Sequence, residues 1–190
     1  LGARARNQNN WFTPTNVAYA LKGIAELLAE EPLRQWAGRY PAEPEQPRQI
    51  GVVMAGNIPL VGFHDLLCVL LSGHILLAKP SSDDTVLMTW IASELVKIEP
   101  RFEEMIRFVP RLNAADAFIA TCSDNTGRFF EYYFGKKPNI IRRNRTSLAI
   151  ITGRESEHDL GLLGADIFRY YGLGCRNVSK LYVPEGYDFT

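Results

Sequence analysis

Apolar runs and helical repeats alternate along most of this chain. Residues 49–55 and 74–79 are almost continuously apolar, a pattern typical of strands that are buried on both faces. Residues 60–72 form a longer apolar segment that ends at Gly73. After Ser81, apolar residues recur every three or four positions, which is the spacing of an amphipathic helix. This alternation predicts an α/β fold with a doubly wound, largely parallel sheet.

The rest of the chain continues the same alternation. The helix expected over residues 124–134 has an aromatic face composed of Phe129, Phe130, Tyr132 and Tyr133. The remaining predicted elements are a helix over 15–40, strands over 106–109, 117–121, 139–142 and 148–152, a helix opened by the capping-box pattern of Ser156 and Asp159, and a strand over 180–183.

Charge and composition exclude several classes of partner. The 190 residues include 21 Lys and Arg and 21 Asp and Glu, so no bulk charge recruits nucleic acid or a membrane surface. The longest apolar run, residues 58–71, is interrupted by His64 and Asp65 and is shorter than the roughly 20 residues that span a bilayer. Three widely separated cysteines favour a reducing cytoplasm. Because the sequence has no initial Met and stops just after a strand, we expect a fragment of a longer chain.

Ligands of open parallel sheets bind at the carboxyl ends of the strands. That rule selects four turns: Gly56-Asn57, Lys79-Pro80-Ser81-Ser82, Thr121-Cys122-Ser123 and the turn before Cys175. Asn57 can donate to a developing oxyanion, or it can satisfy its own turn. Lys79 beside a helix start can hold a phosphate or a ribose, or it can be a solvated lysine. The Ser123 turn can hold a diphosphate, or its hydroxyl can cap the next helix.

Cys175 is the candidate nucleophile. It follows two glycines at the end of a helical stretch and precedes an alternating strand. Glycines in this position allow a sharp turn and the close approach of a substrate. The alternative is a free cysteine that packs as a small hydrophobic residue.

Three further groups of polar residues have candidate roles. His64 can act as a catalytic acid or line its helix. Ser81 or Ser82 is expected to start the next helix, and Asp83 and Asp84 are suited to its positive end. A basic cluster is either a solvated face or a site for an acidic group such as the phosphates of coenzyme A, and it comprises Lys136, Lys137, Arg142, Arg143 and Arg145.

The order and spacing of the four turns resemble those of the aldehyde dehydrogenase superfamily. Within it, the chain is most similar to the fatty acyl-CoA reductases related to the reductase component of bacterial luminescence. The resemblance extends over nearly the whole chain and implies a Rossmann-like cofactor domain. It places Asn57 at the oxyanion-binding asparagine and Cys175 at the catalytic cysteine. It also places Lys79 at the lysine that meets the cofactor ribose and Ser123 at the serine that meets the cofactor diphosphate.

Three departures from the superfamily pattern refine this expectation. Cys122 replaces the glycine of the Gly-Ser-Thr turn. Ser82 stands where many NAD-preferring relatives have a glutamate that would repel a 2′-phosphate, so the resemblance favours NADPH over NADH. Residues 142–146 replace a segment with the glutamate that activates water in hydrolytic relatives. Its absence fits thioester reduction, in which coenzyme A leaves and no water is activated.

The resemblance therefore implies a cytoplasmic enzyme that reduces an acyl-CoA to an aldehyde with NADPH. Ser82 is expected to contact the cofactor together with Lys79 and Ser123. The implied regions are an N-terminal helical segment and linker (1–47), a dinucleotide-binding domain (48–155) and the start of a catalytic segment (156–190). Two alternatives remain open: a related reductase for a short acyl-CoA or an acyl phosphate, and a non-catalytic nucleotide-binding module. A homo-oligomer is left open as well.

Overall fold

The computed structural model describes residues 1–41, 44–143 and 145–188. The chain divides into two compact units, Leu1–Arg143 and Asn144–Thr190, and each is described by itself. Part of the predicted linker therefore lies outside the described residues. The three functional regions that the resemblance implies stay predictions.

The first unit is built on a parallel sheet. Its strands are β1 Gln49–Val53, β2 Ile75–Lys79, β3 Ile106–Phe108, β4 Ala117–Thr121 and β5 Asn139–Arg142. They lie in the order β3-β2-β1-β4-β5, and every neighbouring pair is parallel. Val53 of β1 lies opposite Lys79 of β2 and Ala120 of β4, so the loops that follow these three strands leave the sheet at one edge. The predicted α/β fold is confirmed.

Apolar residues fill both faces of this sheet. Leu76 and Ala78 of β2 belong to one buried cluster, whereas Leu77 between them belongs to a second cluster with Phe118 of β4. Since alternate residues of a strand point to opposite faces, the two clusters lie on opposite sides of the sheet. The largest fully buried side chains of the core include Phe12, Val52, Phe63, Leu66, Leu76, Leu87 and Met88.

The helices of the first unit differ in part from those predicted. They are α1 Gly2–Gln8, α2 Pro14–Leu27, α3 Glu30–Ala37, α4 Phe63–Leu71, α5 Thr85–Ile98, α6 Phe102–Met105 and α7 Asp124–Phe134. The single helix predicted over 15–40 is two helices, because α2 ends at Leu27 and α3 begins at Glu30. The sequence of α1 has no apolar repeat, and this helix was not predicted.

The aromatic face predicted for α7 is wrong for three of its four members. Phe129, Tyr132 and Tyr133 are 64%, 79% and 70% exposed. Instead, Phe130 stacks on Phe134 with a centroid distance of 5.3 Å, and Phe134 stacks on Phe118 of the sheet at 4.0 Å. The physical reason is that consecutive residues point around a helix, whereas residues four apart share one face.

The second unit contains one strand pair and one helix. Strands β6 Ser147–Ile150 and β7 Val178–Tyr182 are parallel, and helix α8 Glu157–Phe168 is followed by a 3₁₀ turn, Arg169–Gly172. The predicted capping box is confirmed, since Asp159 N–H donates to Ser156 Oγ and Ser156 N–H donates to Asp159 Oδ2. Among the described residues of this unit, Ile151 is the one buried hydrophobic residue. No described helix of either unit is long and apolar enough to cross a bilayer.

Candidate cofactor and catalytic site

The loop after β1 packs closely against the turn after β2. A Cβ added at Gly56 would lie 2.5 Å from Cβ of Ser81, a distance that real side chains do not tolerate. Position 56 therefore needs glycine for close approach rather than for a special backbone angle. The contact holds Asn57, which is exposed, beside the turn that begins at Lys79.

The turn after β2 is fixed by a side chain from the first helix. Lys79 and Ser82 are both exposed at this turn. Gln8, the last residue of α1, donates from Nε2 to the Ser82 carbonyl (2.6 Å) and accepts at Oε1 from the Val86 amide (2.9 Å). Gln8 thereby satisfies one of the free amides in the first turn of α5. The sequence carries no local signal for this contact because 74 residues separate Gln8 from Ser82.

Asp84 forms a second connection between the two turns. Its side chain is fully buried, and Oδ2 accepts a hydrogen bond from the Leu60 amide at 2.7 Å. Oδ1 has no partner within the described part of the chain. Burial raises the pKa of Asp84 to about 7, and the Leu60 hydrogen bond opposes that shift. The helix predicted to start at Ser81 or Ser82 begins instead at Thr85, because residues 81–84 form a turn in which the Asp84 amide donates to the Ser81 carbonyl. Asp84 therefore precedes α5, and its carboxylate makes no capping bond to that helix.

The turn after β4 places Ser123 at the start of α7. Thr126 N–H donates to Ser123 Oγ (3.4 Å), and the two hydroxyl oxygens lie 3.0 Å apart. The capping interpretation of Ser123 is therefore correct, and contact with a diphosphate stays a prediction. Cys122 is half-buried, and both its amide and its Sγ face the Arg142 carbonyl oxygen, at 3.0 Å and 3.7 Å.

Three residues of the basic cluster predicted from the sequence have hydrogen-bond or ion-pair partners within the first unit. Nη1 of Arg142, at the end of β5, donates to both carboxylate oxygens of Asp65 in α4, at 2.6 and 2.8 Å. Arg143 pairs with Glu131, and Lys137 donates to a backbone carbonyl. These three residues therefore do not form an open site for an acidic group.

His64 and Cys68 lie one turn apart on α4. The Sγ of Cys68 is 3.9 Å from both ring nitrogens of His64, and His64 Nδ1 is 3.3 Å from Asp65 Oδ1. Burial raises the pKa of the Cys68 thiol, the Asp65 charge acts in the same direction, and Arg142 opposes both. Because the thiolate is the reactive form, Cys68 is a poor candidate for a nucleophile. A catalytic role for His64 stays a prediction.

Cys175 lies in the second unit on an exposed turn between the 3₁₀ turn and β7. The Gly174 amide donates to Asn177 Oδ1 at 2.8 Å, and Asn177 Nδ2 donates to the carbonyls of Asp166 (2.8 Å) and Arg169 (2.9 Å). The thiol is free and exposed, so the alternative of a packed small hydrophobic residue is wrong. The Asn177 contacts were not predicted, although asparagine is a common turn residue.

The sheet and its turns were compared with known proteins. An oxidoreductase from Marinobacter aquaeolei has a TM-score of 0.63 at 18% identity, and the match covers 77% of this chain and 35% of that chain. Aldehyde dehydrogenase 21 from Physcomitrella patens has a TM-score of 0.58 at 21% identity, covering 77% and 32%. Glyceraldehyde-3-phosphate dehydrogenase GapN from Methanocaldococcus jannaschii, in complex with NADP, has a TM-score of 0.61 at 15% identity, covering 75% and 37%.

These likenesses establish the fold, and the chain spans about a third of the length of those structures. The parallel sheet of this chain thus has a fold found in an aldehyde dehydrogenase and in other oxidoreductases. A family model described as acyl-CoA reductase (LuxC) matches residues 5–127, and the chain belongs to that family. The match ends before Cys175. No curated protein matches the sequence.

Proposed function

We propose that this protein reduces an acyl-CoA thioester to an aldehyde with NADPH through an acyl intermediate on Cys175. The observation that carries the proposal is the strand order. Because β2, β1 and β4 are neighbours, the turns of Lys79 and Ser82, of Asn57 and of Ser123 share one edge of the sheet. Membership in the acyl-CoA reductase family supports the reaction and the substrate class. In this proposal residues 48–155 bind the cofactor, and the segment from 156 onward supplies the nucleophile.

The residues at this edge fit a phosphorylated dinucleotide. Lys79 is exposed at the end of β2, where its ammonium can meet the ribose hydroxyls. Helices α5 and α7 begin shortly after β2 and β4, and the N-terminus of a helix attracts phosphate groups. Ser82 is exposed and uncharged, so position 82 itself does not repel a 2′-phosphate. We therefore propose NADPH rather than NADH.

The chemistry assigned to the chain is nucleophilic catalysis by a thiolate. The sulfur of Cys175 attacks the thioester carbonyl carbon, a new C–S bond forms, and the bond to the coenzyme A sulfur breaks. Coenzyme A leaves and takes up a proton. The side-chain amide of Asn57 and the backbone amide of Cys175 donate to the oxyanion that develops in this step. NADPH held by Lys79, Ser82 and Ser123 would supply the hydride that reduces the acyl carbon. The bond from that carbon to the Cys175 sulfur would then break, which would free the thiolate and release the aldehyde.

The test is acyl transfer to the full-length protein in the absence of NADPH, measured by intact mass. Incubation with an acyl-CoA is expected to add the mass of one acyl group, and Cys175→Ala is expected to abolish that addition. Cys68→Ala is the matched control and is expected to retain it. An adduct that persists in Cys175→Ala, or no adduct at all in the wild type, would contradict the proposal. Acylation by an acyl phosphate alone would assign the site to the other substrate class.

A further inference from the structure

We propose that Asp84 is a positioning residue that holds the loop of Asn57 against the turn of Lys79 and Ser82. The inference rests on the function proposed above. It concerns how the oxyanion donor is kept in a fixed position relative to the residues that hold the cofactor. None of the four turns singled out in the sequence includes Asp84.

The contact made by Asp84 fixes a strained backbone position. Leu60, three residues after Asn57, has φ of 59°, in the left-handed region that disfavours residues other than glycine. Its amide donates to Asp84 Oδ2 at 2.7 Å, and both residues are buried. Strained backbone of this kind persists where the surrounding structure holds it. The carboxylate of Asp84 therefore supports the conformation in which the Asn57 loop leaves β1.

The backbone of Asp84 is anchored to the cofactor turn. Its amide donates to the Ser81 carbonyl at 3.2 Å, and its own carbonyl accepts from Met88 in the first turn of α5 at 3.2 Å. The close approach of Gly56 to Ser81 joins the same two segments at the start of the loop. The segment from residue 56 to residue 60 is thus held at both ends against the turn that contains Lys79 and Ser82.

A helix cap does not account for the Asp84 side chain. Aspartate at an N-cap position ordinarily accepts from an amide in the first turn of its own helix. In this protein Gln8 accepts from the Val86 amide in that turn, and Asp84 reaches back to Leu60 instead. The carboxylate thus joins two loops and adds nothing to the capping of α5.

The experiment compares Asp84→Ala, Asp84→Asn and Asp116→Ala in the full-length protein. Asparagine keeps an oxygen that can accept from the Leu60 amide, whereas alanine removes it. Asp116 is the matched control, because its carboxylate accepts from the Gln49 amide (2.9 Å) at the opposite end of β1. Three quantities are measured: the Kd for NADPH, the rate of Cys175 acylation, and hydrogen exchange of the amides in residues 56–61.

We expect Asp84→Ala to raise the Kd and to slow acylation, each by about tenfold, which is the effect of losing one buried hydrogen bond. Amide exchange in residues 56–61 should become faster. Asp84→Asn should stay within about threefold of the wild type, and Asp116→Ala should match it. The conservative variant separates positioning from a general loss of stability.

Unchanged exchange in Asp84→Ala, or an asparagine variant as impaired as the alanine variant, would overturn the inference. So would a normal Kd and a normal acylation rate in Asp84→Ala. If the wild type binds no NADPH and takes up no acyl group, the proposed function fails, and amide exchange alone then decides whether Asp84 holds the loop.

Discussion

The sheet edge that we propose to bind the cofactor (the cofactor edge) and the turn of Cys175 in the second unit (the cysteine turn) are held in different ways. At the cofactor edge Gly56 packs on Ser81, and Asp84 accepts a hydrogen bond from the Leu60 amide. Both contacts lie in a unit that has an extensive apolar core. The turn of Cys175 is exposed, and its hydrogen bonds include three of the Asn177 side chain and one from Ser147 Oγ to the Cys175 carbonyl. We therefore expect the cofactor edge to be sensitive to volume and burial, and the cysteine turn to be sensitive to the loss of one polar side chain.

The largest expected effect is a pH dependence of stability from Asp84. Its pKa rises from 3.8 to about 7 on folding because the carboxyl is buried. The folded state therefore holds the proton more tightly than the unfolded state. The stability that the protonated Asp84 carboxyl contributes is fully present below about pH 4 and is lost as the pH rises through about 7. The expected loss is about 1.4 kcal/mol per pH unit, or about 4 kcal/mol in total.

Asp84→Asn isolates this effect because asparagine does not titrate. The free energy of unfolding, measured by denaturant titration at a series of pH values, should fall in the wild type relative to Asp84→Asn between pH 4 and pH 8. A difference between the two proteins that stays constant over this range would show that Asp84 titrates normally and is not buried as described.

Gly56→Ala is expected to have the next largest effect. The added Cβ must displace Ser81, which should cost about 2 kcal/mol of stability and weaken NADPH binding by about tenfold. Gly23→Ala is the control, since no atom lies within 4 Å of its added Cβ. Alanine at that helical position should stabilise the protein by about 0.5–1 kcal/mol. The stability of both variants is measured by thermal unfolding, and their affinity for NADPH by titration. Equal changes in Gly56→Ala and Gly23→Ala would contradict the close packing at Gly56.

Asn177→Ala should affect the other unit. Losing its hydrogen bonds to Gly174, Asp166 and Arg169 should slow acylation of Cys175 by about tenfold and leave the Kd for NADPH unchanged. Asn139→Ala is a matched control, because the Asn139 side chain likewise donates to backbone carbonyls but belongs to the first unit. A normal acylation rate in Asn177→Ala would mean that the cysteine turn does not depend on this side chain.

Ser82→Glu should give the smallest effect and should act on cofactor choice. A carboxylate at this exposed position is expected to repel the 2′-phosphate and to shift the ratio of NADPH to NADH affinity by about fivefold toward NADH, or about 1 kcal/mol. Ser93→Glu, at an exposed position of α5, should leave the ratio unchanged. No shift in the ratio for Ser82→Glu would remove the argument for NADPH that rests on this residue.

Local patterns predicted the sheet well. The strands at Ala117–Thr121 and Asn139–Arg142 have the predicted bounds, since each is a short run flanked by turn residues. The positions of the turns in the first unit followed from the predicted strand ends. They were singled out as candidate sites because ligands of parallel sheets bind at the carboxyl ends of the strands. The prediction of an aromatic apolar face on α7 failed because the composition of a helix does not say which of its residues face the sheet.

The contacts that hold the turns could not be predicted. Gln8 and Ser82 are 74 positions apart, Leu60 and Asp84 are 24 apart, and Asp65 and Arg142 are 77 apart. No local pattern encodes such pairs, because they arise only when the sheet brings distant loops together. A carboxylate before a helix predicts a cap, and for Asp84 the tertiary contact with Leu60 takes its place.

The central claim is that the turns after β1, β2 and β4 together hold NADPH. Its most direct test is the Kd of the full-length protein for NADPH and NADH, measured for the wild type and for Lys79→Ala. We predict tighter binding of NADPH than of NADH, and a loss of about tenfold in NADPH affinity when the Lys79 ammonium is removed. Failure to bind either nucleotide, or the same affinity in Lys79→Ala as in the wild type, would contradict the account.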